Sequence, residues 1–184
     1  MVAPSGPEVK REILAAVSDH TPPALQIREI AAAEFEAVWP IFQAVVSAGD
    51  TYAYDPGMTL EQARALWTTP PARCFAATDA GAVVGAYCLR PNQVGLGDHV
   101  ANAGYMVAPS ARGHGVASAM CAHSLEAARA AGFKAMQFNF VAVSNERAVR
   151  LWQRHGFQVV GRVPEAFRHR RLGLTDVLVM HRRL

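Results

Sequence analysis

Tyr105-Met106-Val107-Ala108-Pro109-Ser110-Ala111-Arg112-Gly113-His114-Gly115-Val116-Ala117-Ser118-Ala119-Met120 is the stretch on which the reading of this chain turns. An extended apolar run stops at Pro109. A short polar loop follows, with glycines at 113 and 115, and an alanine-rich helical pattern starts at once. Strand, glycine loop and helix start together aim several backbone N–H groups at one spot, beside the positive end of a helix dipole. A pyrophosphate suits such a place, because glycine lets it approach the backbone and tolerates positive φ. A P-loop needs Gly-Lys-Ser/Thr, and the loop has no lysine. A dinucleotide fingerprint needs a glycine where Ser118 stands.

Upstream, residues 1–8 are Pro/Gly-rich and residues 9–18 carry the spacing of a short amphipathic helix that Pro22-Pro23 ends. This predicts an N-terminal extension over 1–20 ahead of one domain over 21–184. Residues 25–30 alternate as a strand. Residues 31–48 read as helix, bent or split by Pro40. After the aromatic loop 49–57, Thr59 caps a second helix that runs through Trp67. Residues 74–78 and 82–89 form two strands around a hairpin at Asp79-Ala80-Gly81. Residues 100–107 are the next strand. The helix from Gly115 reaches about residue 131, with Ser118, Ala122, Glu126 and Arg129 on its wet stripe.

Downstream, residues 134–141 are a strand with Met136, Phe138 and Phe140 on one side. A helix over 145–154, a strand over 157–163, a basic loop over 165–173 and a last strand over 174–180 complete the chain. The order is that of an α/β domain with a mixed sheet and its ligand at the strand ends.

At 184 residues, a single domain with a full core is expected. A net charge of +3 suits an anionic ligand and gives no case for nucleic acid as partner. Cys74, Cys88 and Cys121 lack metal-ligand spacing and read as buried thiols, with no metal expected. No secretory signal and no membrane-length apolar run is visible, so a cytoplasmic protein is expected, with no membrane partner.

Arg112, Gly115 and Ala117 resemble the Gln/Arg-x-x-Gly-x-Gly/Ala loop that binds the coenzyme A pyrophosphate in the GNAT N-acetyltransferases. Asn145-x-x-Ala148-x-x-Leu151-Trp152-x-x-His155-Gly156-Phe157 resembles the second motif of that family, and the element order is the family's. The likeness covers residues 25–184. It implies an α/β fold with a mixed, mostly antiparallel sheet of about seven strands, flanked by helices and splayed at its centre to hold the coenzyme. A narrower likeness is to fungal N-acetyltransferases that act on azetidine-2-carboxylate and related proline analogues. Arg90-Pro91-Asn92, Asn102 to Val107, Phe138 to Val141, Asn145, Leu151-Trp152, Gly161-x-Val163-Pro164 and Thr51-Tyr52 carry it.

The resemblance implies an acetyl-CoA-dependent N-acetyltransferase whose acceptor is a small amine, an amino or imino acid. The alternatives are acetylation of protein amines and a non-catalytic acyl-CoA sensor. Gly113, Gly115, Ala117 and Ser118 would offer N–H groups to the pyrophosphate, and Arg112 would add charge or stay solvated. Backbone groups of Met106 and Val107 would pair with the pantetheine arm like an added strand.

Asn145 would cap its helix, reach the coenzyme arm and assist catalysis as a hydrogen-bond donor. Asn102 would hold the acceptor carboxylate, with Tyr52 and Tyr105 as pocket aromatics. Strand alternation puts Asn102, Gly104 and Met106 on one face and Tyr105 on the other, unless a bulge resets it.

Trp152 departs from the family's tyrosine, which protonates the leaving thiolate. Indole N–H has no usable acidity, so Trp152 reads as packing beside the coenzyme. Losing that acid is bearable: a thiol pKa of ~8.5 makes unprotonated departure at neutral pH cost about 2 kcal/mol. Glu34, Glu36 and Glu61 are the candidates for a general base, and no spacing selects one; His99 reads as a solvated loop residue or the pole of a water chain, and an amine that arrives neutral or through a water held by Asn145 needs no dedicated base. Arg168, Arg170 and Arg171 read as a solvated loop, an acidic-substrate contact or part of a homodimer surface.

Overall fold

The structure is a computed structural model that describes residues 25–184, so the expected extension over 1–20 and its helix lie outside the described residues. Strand β1 is Gln26–Ile30. The predicted break at Pro40 is real: a 3₁₀ turn over Ala32–Ala37 gives way to helix α1, Trp39–Ala48, with the proline in its first turn. There its missing N–H costs nothing. Gly49, at φ 62°, ends α1 in the left-handed region. Helix α2, Leu60–Thr68, starts on a capping box. The Gln62 N–H donates to Thr59 Oγ1 at 3.3 Å, and the Thr59 N–H donates to Gln62 Oε1 at 2.9 Å.

Strands β2, Arg73–Asp79, and β3, Ala82–Pro91, join through Ala80 and Gly81, both at positive φ, as a two-residue hairpin of this hand requires. Strand β4 is Val100–Val107 and helix α3 is Val116–Ala130. Strand β5, Ala135–Ala142, helix α4, Glu146–Arg154, and the long strands β6, Gln158–His169, and β7, Gly173–Arg183, follow.

The seven strands form one sheet in the order β1-β2-β3-β4-β5-β7-β6. Every neighbouring pair is antiparallel except β4 and β5, which α3 connects. That parallel pair holds only at Val100↔Ala135 and Ala101↔Met136. Beyond it the strands part, and the sheet opens.

One face packs against α3 and α4 through Met120, Leu125, Phe138, Trp152 and Phe157. The other packs against α1 and α2 through Phe35, Phe42, Trp67, Cys88 and Met106. Contact between α3 and the sheet is close at Gly85, where an added Cβ would lie 2.9 Å from Met120 Cε. These two layers hold the open seam between them.

Two expectations are corrected. Phe140 does not share a side with Met136 and Phe138. The β5–β7 register shifts between Phe138 and Val141, so Val141 enters the α3-side core while Phe140 meets Phe167 edge-on at 5.6 Å. The basic loop is largely strand: β6 runs on to His169 past an irregularity between Val163 and Phe167. The Asp176 carboxylate holds that irregularity by accepting from the Glu165 N–H and the Arg162 side chain, and Phe167 is buried beyond it. Arg170 lies in the hairpin turn, where its side chain donates to the Ser47 carbonyl and its N–H to the Gly49 carbonyl, each at 2.9 Å.

Candidate active site

The glycine loop takes the predicted form. After β4 the chain makes one turn over Pro109–Ala111, and Gly113 (φ 87°) and Gly115 (φ 81°) carry it into α3. An added Cβ at either would meet nothing within 4 Å, so these glycines serve their dihedrals and the approach of a ligand, not crowding. Gly115 caps α3 with no side-chain bond. The N–H groups of Val116, Ala117 and Ser118 are first-turn donors that no helix carbonyl can satisfy. The Ser118 hydroxyl instead pairs with His155 Nε2 at 2.9 Å, tying α3 to the end of α4.

This loop borders a cavity of about 740 Å³. Across it stand Arg147, Arg150 and Arg154 on one face of α4, beside Leu151, and Arg112 adds a fourth guanidinium on the loop side. Asp50 is the acidic residue of this lining. Four arginines and a row of free N–H groups make a site for a polyanion.

The ladder between β3 and β4 fixes which backbone groups face the open seam. The Asn92 N–H donates to the Val100 carbonyl at 2.7 Å, and the Ala108 N–H donates to the Val84 carbonyl at 2.9 Å. With the regular register between these bonds, Asn102, Gly104 and Met106 pair with Arg90, Cys88 and Ala86. Ala103, Tyr105 and Val107 therefore turn their N–H and C=O groups to the seam. Val107 can pair with an extended ligand arm as expected. The backbone of Met106 cannot, because the ladder uses it, and its side chain is in the α1-side core.

A second cavity, of about 380 Å³, lies where β4 and β5 have parted. The register of β4 is unshifted, so alternation holds: Asn102 and Gly104 face Tyr52, Tyr54, Trp67, Cys88 and Arg90. Tyr52 stacks on Tyr54 at 5.1 Å, and Tyr54 on Phe42 at 5.7 Å. The Tyr52 hydroxyl donates to the Tyr105 carbonyl at 2.9 Å, crossing over Gly104, whose added Cβ would sit 3.1 Å from that oxygen.

Tyr105 borders both cavities, but its hydroxyl is turned to the other face and pairs with Ser124 Oγ at 2.7 Å. Asn102 and Tyr52 thus share one wall, and the Tyr105 hydroxyl is not part of it. Burial pushes the Tyr52 and Tyr105 phenols well above their ordinary range, so neither is a ready acid. The Cys88 thiol is pushed up to about 11 by burial, against the pull of Arg90.

The two cavities meet at Thr51, Tyr52, Tyr105, Asn145, Ala148 and Trp152. Asn145 caps α4 there: the Ala148 N–H donates to its Oδ1 at 3.3 Å. The amide nitrogen then points its two hydrogens elsewhere, and among the described residues it has no partner. Trp152 is 8 % exposed, with its ring 4.8 Å from Tyr105 and 5.1 Å from Phe138, so it packs the junction.

Glu34, Glu36, Glu61 and His99 line neither cavity. Glu34 is engaged by Arg28 and the Ala31 N–H. Sequence reading gave no site role to Tyr54, Trp67, Arg90 or the α4 arginines. The spacing of residues 147, 150 and 154 was a legible signal for one helix face, whereas Trp67 gave none.

Known proteins share this architecture. The acetyltransferase (GNAT) family model matches residues 25–157. A GCN5-related N-acetyltransferase structure from Kribbella flavida is 50% identical, covers 88% of this chain and 98% of its own, and superposes with a TM-score of 0.83. A GNAT superfamily phosphinothricin acetyltransferase from Sinorhizobium meliloti, solved in complex with AcCoA, is 19% identical and covers 87% of this chain and 88% of its own, with a TM-score of 0.78. The N-acetyltransferase aca1 of Schizosaccharomyces pombe is 35% identical over 86 residues, 47% of this chain and 41% of that protein. With the splayed sheet, the glycine loop and a family match over most of its length, this chain belongs to the GNAT acetyltransferase family.

Proposed function

We propose that the protein transfers an acetyl group from acetyl-CoA to the amine of a small amino or imino acid. The observation that carries this is the meeting of two unlike cavities at Asn145: one lined by free N–H groups and four arginines, the other aromatic with Asn102 and Arg90 in its wall. The first fits the phosphates of coenzyme A, and the open edge of β4 at Val107 fits its extended arm. Acetyl-CoA supplies a thioester carbonyl, and an acceptor in the second cavity would reach it at the junction.

In chemical terms, the nitrogen lone pair forms the new N–C bond, the C–S bond breaks, and coenzyme A leaves as the thiol or thiolate. The proton lost by nitrogen goes to water or to the departing sulfur. Negative charge that grows on the carbonyl oxygen meets the Asn145 amide and the seam-facing N–H of Tyr105, neutral donors already in place. Asn102 holds the acceptor carboxylate through its amide. Trp152 excludes water at the junction and donates no proton to the thiolate.

Release of free coenzyme A is the test, against azetidine-2-carboxylate, hydroxyproline, peptides with free N-termini and lysine peptides. Turnover confined to the small acids is the expected result. Turnover of the peptides alone overturns the acceptor class. Tight acetyl-CoA binding with no turnover of any amine makes the protein an acyl-CoA sensor.

A further inference from the structure

Arg90 ends β3 on the face that carries Cys88, directly across the ladder from Asn102. Among the described residues it is the charged side chain that lines the 380 Å³ cavity, and no carboxylate pairs with it. Its charge reaches into that space, since it pulls down both the Cys88 thiol and the Tyr54 phenol against the effect of burial. Among the described residues the Thr51 hydroxyl of the same lining is buried without a partner, and the Trp67 indole N–H, also buried, has only the Tyr54 hydroxyl near it, short of a well-formed bond. Trp67 is 1 % exposed. Most of the remaining wall is aromatic: Tyr52, Tyr54, Phe138 and Phe140.

Resting on the acceptor class proposed above, we infer that Arg90 selects the acceptor by binding its carboxylate and turning away amines that lack one. A guanidinium half out of water and without a counter-ion gains from a carboxylate through charge-assisted, planar hydrogen bonds. Asn102 beside it adds an amide donor. A bare ammonium meets the opposite situation. Among the described residues this cavity offers it no carboxylate, because Asp50 lines only the neighbouring one, and the guanidinium repels it. An α-amino acid offsets that repulsion with its own carboxylate, and the cavity is neutral once the amine has lost its proton beside the paired guanidinium. The aromatic walls take the short carbon frame, and a polyamine or a lysine side chain brings only more positive charge.

The acid and its amide separate this assignment from simple packing. With the full chain and saturating acetyl-CoA, kcat/KM is measured for azetidine-2-carboxylate and azetidine-2-carboxamide in the wild type and in Arg90→Met, Arg90→Gln and Arg90→Lys. The wild type prefers the acid by ~10²-fold, the scale of a charge left without its partner. Arg90→Met and Arg90→Gln lose that preference by falling on the acid alone, Arg90→Lys keeps part of it, and KM for acetyl-CoA does not move. Equal losses on acid and amide, unchanged kinetics on both, or a wild type indifferent between them overturns the role of Arg90 and leaves the acceptor class standing. Turnover of neither compound by a wild type that binds acetyl-CoA overturns the acceptor class, and this assignment with it. Three variants guard against one misfolded protein, and melting temperatures within a few degrees of wild type qualify each for the comparison.

Discussion

Asn145 caps α4, and one substitution series separates that role from the catalytic one proposed for its amide. Its Oδ1 accepts the Ala148 N–H at 3.3 Å, a long bond for a helix cap. Its amide hydrogens stay free at the junction of the cavities. Removing the side chain in Asn145→Ala costs ~1 kcal/mol as a lost N-cap. For a chain of this size that lowers the melting temperature by ~2–4 °C. If the amide steadies the carbonyl oxygen during attack, the same change lowers kcat by ~10²-fold or more. Asn145→Asp keeps an acceptor for the Ala148 N–H and adds a charge that the helix dipole favours by ~0.3–1 kcal/mol. It also puts an anion where the reaction needs a donor. Its melting temperature should equal or exceed that of wild type while kcat falls at least as far as in Asn145→Ala. Asn145→Ser caps without the amide, so it should hold stability and lose turnover. The measurements are thermal melts of the free protein and initial rates of coenzyme A release with both substrates saturating. If Asn145→Asp retains kcat within a factor of a few, or Asn145→Ala loses only melting temperature, Asn145 is a cap and nothing more.

The other expectations are shorter. Gly115→Glu should abolish acetyl-CoA binding by calorimetry, because it forces a side chain into a φ of 81° and sets a negative charge at the phosphate site; unchanged affinity refutes the loop assignment. Trp152→Phe should keep turnover within ~10-fold, and a loss beyond ~100-fold in a folded variant would mean that the indole does acid–base work. Asn102→Ala should raise KM for the amine at nearly constant kcat, since a carboxylate contact acts on ground and transition states alike; a fall in kcat at constant KM contradicts that role. Burial lowers the pKa of His123 and of His155, where Arg182 and Arg154 add to it. Below the ordinary value of ~6.5 the unfolded chain therefore binds protons that the fold does not, and stability falls as pH drops through that value. Melting temperature should decline from pH 7.5 toward 5.5 and flatten in a His123→Gln/His155→Gln double variant, and a flat wild-type profile disproves the linkage.

What the sequence made legible follows from where its constraints are local. Glycine punctuation and strand alternation mark β4, the loop and α3 almost to the residue, because strand ends, positive φ and helix caps are set within a few neighbours. The second half of β6 was not legible. Pro164-Glu165 reads as a breaker, and the group that bridges the irregularity is Asp176, on the opposite strand. Pro164 is tolerated because β6 is an edge strand with no neighbour on one side. Phe140 went wrong for a related reason: alternation assumes an unbroken ladder, and the shift after Phe138 reverses it.

For the site, the same divide separates the residues that sequence reading proposed from those to which it gave no role. The glycine loop and Asn145 announce themselves by local chemistry. Arg90, Trp67 and Tyr54 come from a strand end, a helix and a loop, and only the closed fold brings them to one wall. Gly104 joins the two kinds of information. In sequence it is a glycine inside a strand, which signals a bulge or a close approach. The unshifted register excludes the bulge, and the approach is that of the Tyr52 hydroxyl on its way to the Tyr105 carbonyl. That bond takes one of the two lone pairs on the seam-facing carbonyl of Tyr105 and leaves its N–H unpaired among the described residues. A strand edge normally invites a ligand to pair along its whole length. Here the two seam-facing residues nearest the glycine loop differ: among the described residues Val107 has no such bond on its carbonyl, whereas an arm that paired at Tyr105 would share the carbonyl with the Tyr52 hydroxyl, so the proposed pairing is strongest at Val107 and weakens toward Asn145.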